Sequence, residues 1–100
     1  MIKQLSVFVE NRTGSLYRVT NELTEGGINI RAIASFDTPD FAILRLVVDN
    51  TEEAKVYLTS KGFVVRIHEV MGVELEDKQG SLNNMLGILA DNEISLNYIY

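Results

Sequence analysis

Leu5, Val7 and Val9 alternate with Gln4, Ser6 and Glu10, which is the period of a half-buried β-strand. Asn11-Arg12-Thr13-Gly14 reads as a turn, and Leu16, Val19 and Leu23 then recur at helical spacing until Gly26-Gly27 stops the helix. Strand character returns from Ile28 to Phe36. Asp37-Thr38-Pro39-Asp40 is a loop, because its proline cannot sit in a central ladder. Phe41–Val48 is rich in β-formers. Asn50 or Thr51 caps a second helix, with Glu52 and Glu53 in its electropositive first turn. That helix packs Ala54, Leu58 and either Val56 or Tyr57, and ends at Gly62; Phe63–Ile67 forms a fourth strand.

The order β-α-β-β-α-β predicts an α+β fold of the ferredoxin-like kind, with four antiparallel strands on one side and two helices on the other. The helix-facing set predicted from the periodicity is Leu5, Val7, Val9, Leu16, Val19, Leu23, Ile28, Ile30, Leu44, Leu46, Leu58, Val65 and Ile67, while Phe8 and Ile33 point to the opposite face of the sheet.

The chain then repeats its own opening. Shifted by 66 positions, Leu5–Ala34 aligns with Met71–Tyr100 without a gap and with eight identities in thirty positions, among them Gly14-Ser15-Leu16 on Gly80-Ser81-Leu82. A repeat of this length marks a repeated supersecondary unit. It predicts a strand at Val70–Leu75, a helix at Gly80–Ala90 and a strand at Ile94–Tyr100. The expected organisation is a complete first domain over residues 1–69 and the first half of a second, β-α-β, over 70–100. In the ferredoxin-like order the third strand lies between the first and second, so the second copy has an open slot. The ending Asn97-Tyr98-Ile99-Tyr100 reads as mid-strand sequence, and the expectation is a longer protein; insertion of a partner strand, or direct closure of the two strands, are the alternatives.

Composition removes several function classes. The chain has 100 residues, 46% of them hydrophobic and 23% charged, and no cysteine. Disulfides, thiolate metal sites and cysteine nucleophiles are therefore excluded. The net charge is −5 and the nine basic residues form no run. Phosphate neutralisation needs a concentrated basic face, so no nucleic acid and no anionic membrane is expected as partner. The opening Met1-Ile2-Lys3-Gln4 carries no signal-peptide apolar block, and a cytoplasmic location is expected. One histidine, His68, supports neither a metal site nor a Ser/His/Asp grouping.

An alternating strand closing on Glu10-Asn11, a short turn ending in Gly14, a helix opening there, and Gly27-Ile28-Asn29-Ile30 at the next strand resemble the ACT domain. The second copy matches through Leu75-Glu76-Asp77-Lys78-Gln79-Gly80-Ser81-Leu82 and Glu93-Ile94-Ser95-Leu96. The chain thus resembles a small stand-alone tandem ACT protein of the amino-acid-binding, regulatory kind, and is more distantly similar to the small regulatory subunit of acetolactate synthase. Thr13 and Gln79 stand where ACT turns often carry proline, and Ser95 and Glu93 replace the Asn and Gly of the first copy, which makes the first copy the better candidate site.

The resemblance implies amino-acid binding at the interface between two modules, bias of a partner enzyme, a homodimer, no catalytic residues and no cofactor. The implied ligand-binding residues are Asn11, Arg12, Thr13, Gly14, Ser15, Leu16, Asn29 and Ile30, with Asp77, Gln79, Gly80, Ser81, Leu82 and Ser95 in the second copy. Physically, the first amides of a helix have no intrahelical acceptor and favour a carboxylate. Asn11 and Asn29 complement an ammonium or a carboxylate, and Arg31 and Arg45, on neighbouring strands, could face a carboxylate. The same residues also serve as ordinary turn glycines, caps and solvated arginines. Among enzymes of this topology, acylphosphatase needs a richer glycine loop around its arginine than Asn11-Arg12-Thr13-Gly14 offers. The reading from another class is a ligand-free structural or assembly module of an enzyme complex.

Overall fold

Alternation in the first strand sets the layering. The computed structural model describes residues 1–100, in the order β1 (Ile2–Glu10), α1 (Ser15–Glu25), β2 (Ile30–Asp37), β3 (Phe41–Val48), α2 (Thr51–Ser60), β4 (Val64–Val70) and α3 (Ser81–Asp91). One four-stranded antiparallel sheet has the order β2-β3-β1-β4, so the fold is ferredoxin-like α+β as the element order predicts. β1 lies between β3 and β4, with Leu5 opposite both Leu46 and Ile67, and Val7 opposite both Leu44 and Val65. Residues opposite one another share a face. The buried stripe of β1 is thereby extended across three strands and meets Val19 and Leu23 of α1 and Ala54 and Leu58 of α2. Full burial of such side chains contributes about 1.5–3 kcal/mol each.

Most of the predicted core lies in this cluster or packs against it, with two departures. Leu16 is 38% exposed; in the first turn of α1 it sits a turn before Val19, which begins the packed stripe. Phe63, placed by sequence only at a strand start, is buried in the core. In α2 it is Tyr57 and not Val56 that turns inward, its ring lying against Gly26 at the end of α1. The α2 cap is Asn50, whose Oδ1 accepts from the Glu53 amide at 3.2 Å and whose Nδ2 donates to the Glu53 carboxylate at 2.9 Å.

Ile33 corrects the expected strand parity. A bulge between Ile30 and Ala32 inserts an extra residue, so Ile30 lies opposite Val48 and Ile33 lies opposite Leu46, both on the helix side. A bulge shifts the alternation by one, and Ile33 does not join Phe8 on the open face. It stays half exposed because β2 is the sheet edge.

The second copy departs from its expected β-α-β form. Its helix is present as α3, but neither flank is a strand: Val70 closes β4 by pairing with Ile2, and residues 71–77 and 95–100 donate no backbone hydrogen bond. In the first module, β3 and β4 supply the ladders of β1, and β3 that of β2. Residues 71–100 contain no counterpart of those partners, so the flanks remain unpaired. No helix is long and apolar enough to cross a membrane.

Candidate functional site

The two turn–helix units are built alike down to single hydrogen bonds. In the first, the Arg12 amide donates to the Glu10 carbonyl at 3.1 Å, Ser15 to Arg12 at 3.1 Å and Arg18 to Gly14 at 3.0 Å. In the second, 66 residues later, Lys78 donates to Glu76 at 2.9 Å, Ser81 to Lys78 at 3.3 Å and Asn84 to Gly80 at 2.9 Å. Gly14 and Gly80 are left-handed, with φ of 84° and 89°. That backbone conformation strongly favours glycine, which is why this identity is retained across the repeat. An ion pair brackets each turn, Arg12–Glu10 at 3.2 Å and Lys78–Glu76 at 2.8 Å.

The helix ends repeat as well. Ile28 donates to Leu23 at 2.9 Å and Gly27 to Thr24 at 3.1 Å; Ile94 donates to Leu89 at 2.9 Å and Glu93 to Ala90 at 3.0 Å. This six-to-one and five-to-two pairing is the Schellman arrangement, whose C′ residue is left-handed. Gly27 fits at φ 70°; in the second copy a glutamate, Glu93, holds the position at φ 57° and is the only non-glycine with positive φ.

Neither helix start is closed by a side chain; the capping by Thr13 or Ser15 that the sequence allows does not occur. The amides of Gly14, Leu16 and Tyr17 in α1, and of Gly80, Leu82 and Asn83 in α3, have no acceptor within the chain. A Cβ built on Gly14 or Gly80 would meet nothing within 4 Å. Both positions are open to an approaching carboxylate, and the helix dipole favours it. Ser15 is buried, with its own amide already turned onto Arg12, as that of Ser81 is onto Lys78, so neither serine amide is among the free donors.

The structure does not gather all the expected first-copy residues. Asn11 sits at one end of the sheet: its amide donates to the Asp40 carbonyl at 3.2 Å, and its Nδ2 to the Thr38 carbonyl at 2.6 Å. The Asn29 carbonyl accepts from the Asp49 amide at 3.2 Å, at the other end of β3. Eight residues of strand separate those ends, roughly 25 Å at about 3.3 Å per residue. Asn29 and Ile30 therefore cannot close the same intramodule pocket as Asn11, Arg12, Thr13, Gly14, Ser15 and Leu16. Arg31 pairs with Asp49 at 2.8 Å, and Arg45 stacks on Tyr98 with its guanidinium 3.9 Å from the ring centre, so neither arginine faces an open carboxylate site.

In the second copy, Asp77 and Gln79 are exposed in the turn. A cavity of about 340 Å³ lies beside the start of α3, bordered by Glu76, Lys78, Ser81, Asn84 and Met85. Ser95 lines a different cavity, of about 700 Å³, between the first sheet and the second copy. The second helix start thus has space next to it, with Lys78 already paired to Glu76 and Glu74 also in the cavity lining.

One cluster was not legible in the sequence. Gln4, read as an outward polar residue of β1, is fully buried. Its Nε2 donates to the Tyr98 hydroxyl at 2.8 Å, and its Oε1 accepts from the Tyr100 hydroxyl. The two tyrosine rings stack with centroids 6.3 Å apart. Burial raises the Tyr100 hydroxyl pKa above its ordinary value; the neighbouring Tyr98 adds to this and Arg45 opposes it. The polar clasp holds residues 98–100 on the sheet face away from α1 and α2. The available signal was the i, i+2 spacing of the tyrosines, which puts both rings on one side of an extended segment.

Comparison with known proteins agrees with this architecture. The ACT domain pair family matches the chain over residues 1–100. Protein BT0572 from Bacteroides thetaiotaomicron is similar at 35% identity and a TM-score of 0.93, over 99% of this chain and 69% of that one. The ligand-free regulatory subunit of aspartate kinase from Thermus thermophilus shares the fold at 18% identity and a TM-score of 0.72, over 98% of this chain and 74% of that one. An unknown protein from Galdieria sulphuraria is similar in fold at 19% identity and a TM-score of 0.55, over 89% of this chain and 62% of that one. No curated protein matches. With two copies of one turn–helix unit and a family match along its whole length, the chain belongs to the ACT domain pair family.

Proposed function

We propose that this chain is a regulatory, non-catalytic protein that binds an amino acid at a boundary between ACT modules and thereby biases a partner enzyme of amino-acid metabolism, acting as a homodimer. The duplicated, uncapped helix start carries the reading: two copies keep the same left-handed glycine and the same free amides, as a carboxylate-accepting element would. The separation of Asn11 from Asn29 favours a boundary site. The groups that would hold the ammonium and the carboxylate lie at opposite ends of one module, so they converge only when two modules meet.

Thermal denaturation of the full chain against each of the twenty amino acids tests this. A ligand at a hundred times its Kd stabilises the fold by about 2.7 kcal/mol, and Gly14→Ala or Gly80→Ala, which adds a methyl where the ligand approaches, reduces the shift. A uniform absence of shifts favours the ligand-free assembly module instead, a reading supported by the exposed Phe36, Phe41 and Val64 of the sheet.

A further inference from the structure

Gln4 and Ser6 are buried although the alternation of β1 turns them away from the core that Leu5 and Val7 share with both helices. The second copy supplies the cover of Gln4. The hydroxyls of Tyr98 and Tyr100 bond its side-chain amide, and the Arg45 guanidinium of β3 lies over the Tyr98 ring. A further contact lies along β1, where Gly72 passes so close to the Ile2 side chain that a Cβ at position 72 would collide with it. Ile2 and Gln4 are two apart on the strand and share the open face. The second copy therefore meets the first sheet across its two central strands. The backbone of the longer similar protein superposes on 99% of this chain, so a longer chain adopts this placement as well.

The repeat shows how the two copies differ at this contact. Moved by 66 positions, Tyr98 falls on Ala32, Tyr100 on Ala34, Gln4 on Val70 and Ser6 on Gly72. Ala34 lies opposite Arg45, which lies opposite Ser6, so the alanines hold the same open face in the first module that the tyrosines present in the second. The turn–helix units kept their residues and bonds, whereas the meeting faces diverged: one copy offers a buried amide, the other two rings with hydroxyls. Pairing like with like fails both ways. Two first copies in this arrangement would bury two amides with only alanine methyls opposite, and an unbonded buried amide is costly. Two second copies would set tyrosines against Val70, whose side chain has no polar atom. Apolar contact alone is non-directional and tolerates many offsets, so the bonded amide fixes both partner and register.

We propose that the duplicated modules have become a socket and a plug, with Gln4 and the Tyr98–Tyr100 pair as the specificity-determining residues that make the first copy pair with the second and with no copy of its own kind. Arg45 orients the plug through Tyr98, and Gly72 lets the chain approach Ile2. The amino-acid reading is independent of this contact, because the free helix starts take no part in it.

Nuclear magnetic resonance of the full chain tests this through the two glutamines, with the exposed Gln79 as internal reference. The side-chain amide protons of Gln4 should exchange more slowly than those of Gln79. Tyr98→Phe and Tyr100→Phe each remove one hydrogen bond and should speed Gln4 exchange roughly fivefold, with the urea midpoint of the main transition unchanged. Gln4→Val, the residue at the matching place in the second copy, should move both tyrosine ring resonances toward those of free tyrosine. If that variant fails to fold, the two phenylalanine variants decide. Gln4 protons that exchange as fast as those of Gln79, Gln4 exchange unchanged in both phenylalanine variants, or ring resonances that stay in place in folded Gln4→Val overturn the proposal.

Discussion

Gly14→Ala isolates the backbone geometry on which the helix start depends. At φ 84° an alanine pays the left-handed penalty of about 1–2 kcal/mol. No neighbour lies within 4 Å of the added Cβ, so no steric cost joins it. Alanine also loses less conformational freedom on folding, which returns about 0.5–1 kcal/mol. The net is a loss of about 1 kcal/mol, and for a chain of this size that lowers Tm by roughly 4–8 °C. Urea denaturation followed by circular dichroism should show a lower midpoint with an unchanged m-value, the sign of a native-state effect. Gly80→Ala has the same local cost at φ 89°, but α3 is not packed into the core. Its effect should appear as faster amide exchange in α3 and not in the main transition. An unchanged or raised midpoint for Gly14→Ala refutes the reasoning, since the residue would then not be left-handed.

Three further outcomes follow from named contacts. Glu93→Gly removes the only positive φ outside glycine and should slow amide exchange in α3 by an amount corresponding to about 0.5–1 kcal/mol; faster exchange contradicts it. Leu46→Ala empties a fully buried site under both helices and should cost about 2–5 kcal/mol in urea titrations, whereas Leu86→Ala in the unpacked α3 should leave the main transition within about 0.5 kcal/mol. The folded Tyr100 pKa is raised above 10.0, chiefly by burial. Its contribution to docking residues 98–100 is therefore complete below pH 10 and disappears as pH rises through the raised value. Tyrosinate absorbance should show a late-titrating component that Tyr100→Phe abolishes; a titration curve whose late part is unchanged in Tyr100→Phe contradicts the buried clasp.

What the sequence discloses divides along physical lines. β3 is legible to the residue because a β-rich apolar run between Pro39 and Asn50 leaves little freedom, and α2 because Asn50, Glu52 and Glu53 announce its start. The repeated glycines were legible because their constraint is local. The Ile33 inversion was not, since a bulge carries no residue signature and changes every parity after it. The burial of Gln4 depends on hydroxyls more than ninety positions away, which no local period reports. The lack of ladders around α3 is likewise a matter of absent partners: residues 71–75 and 95–100 have strand-like sequence, but no strand among residues 1–100 pairs with them. The expected convergence of Asn11 and Asn29 failed because helix crossovers return a chain to the opposite end of the sheet, a consequence of topology and not of motif.

The most direct measurement is an amide nitrogen–proton correlation spectrum of the full chain, titrated with the amino acid that most raises Tm. The account predicts saturable shifts at the free amides that open α1 or α3, Gly14, Leu16 and Tyr17 or Gly80, Leu82 and Asn83, with the glycine amides moving furthest. Saturable shifts confined to other parts of the chain, or no shifts with any of the twenty amino acids, would contradict it.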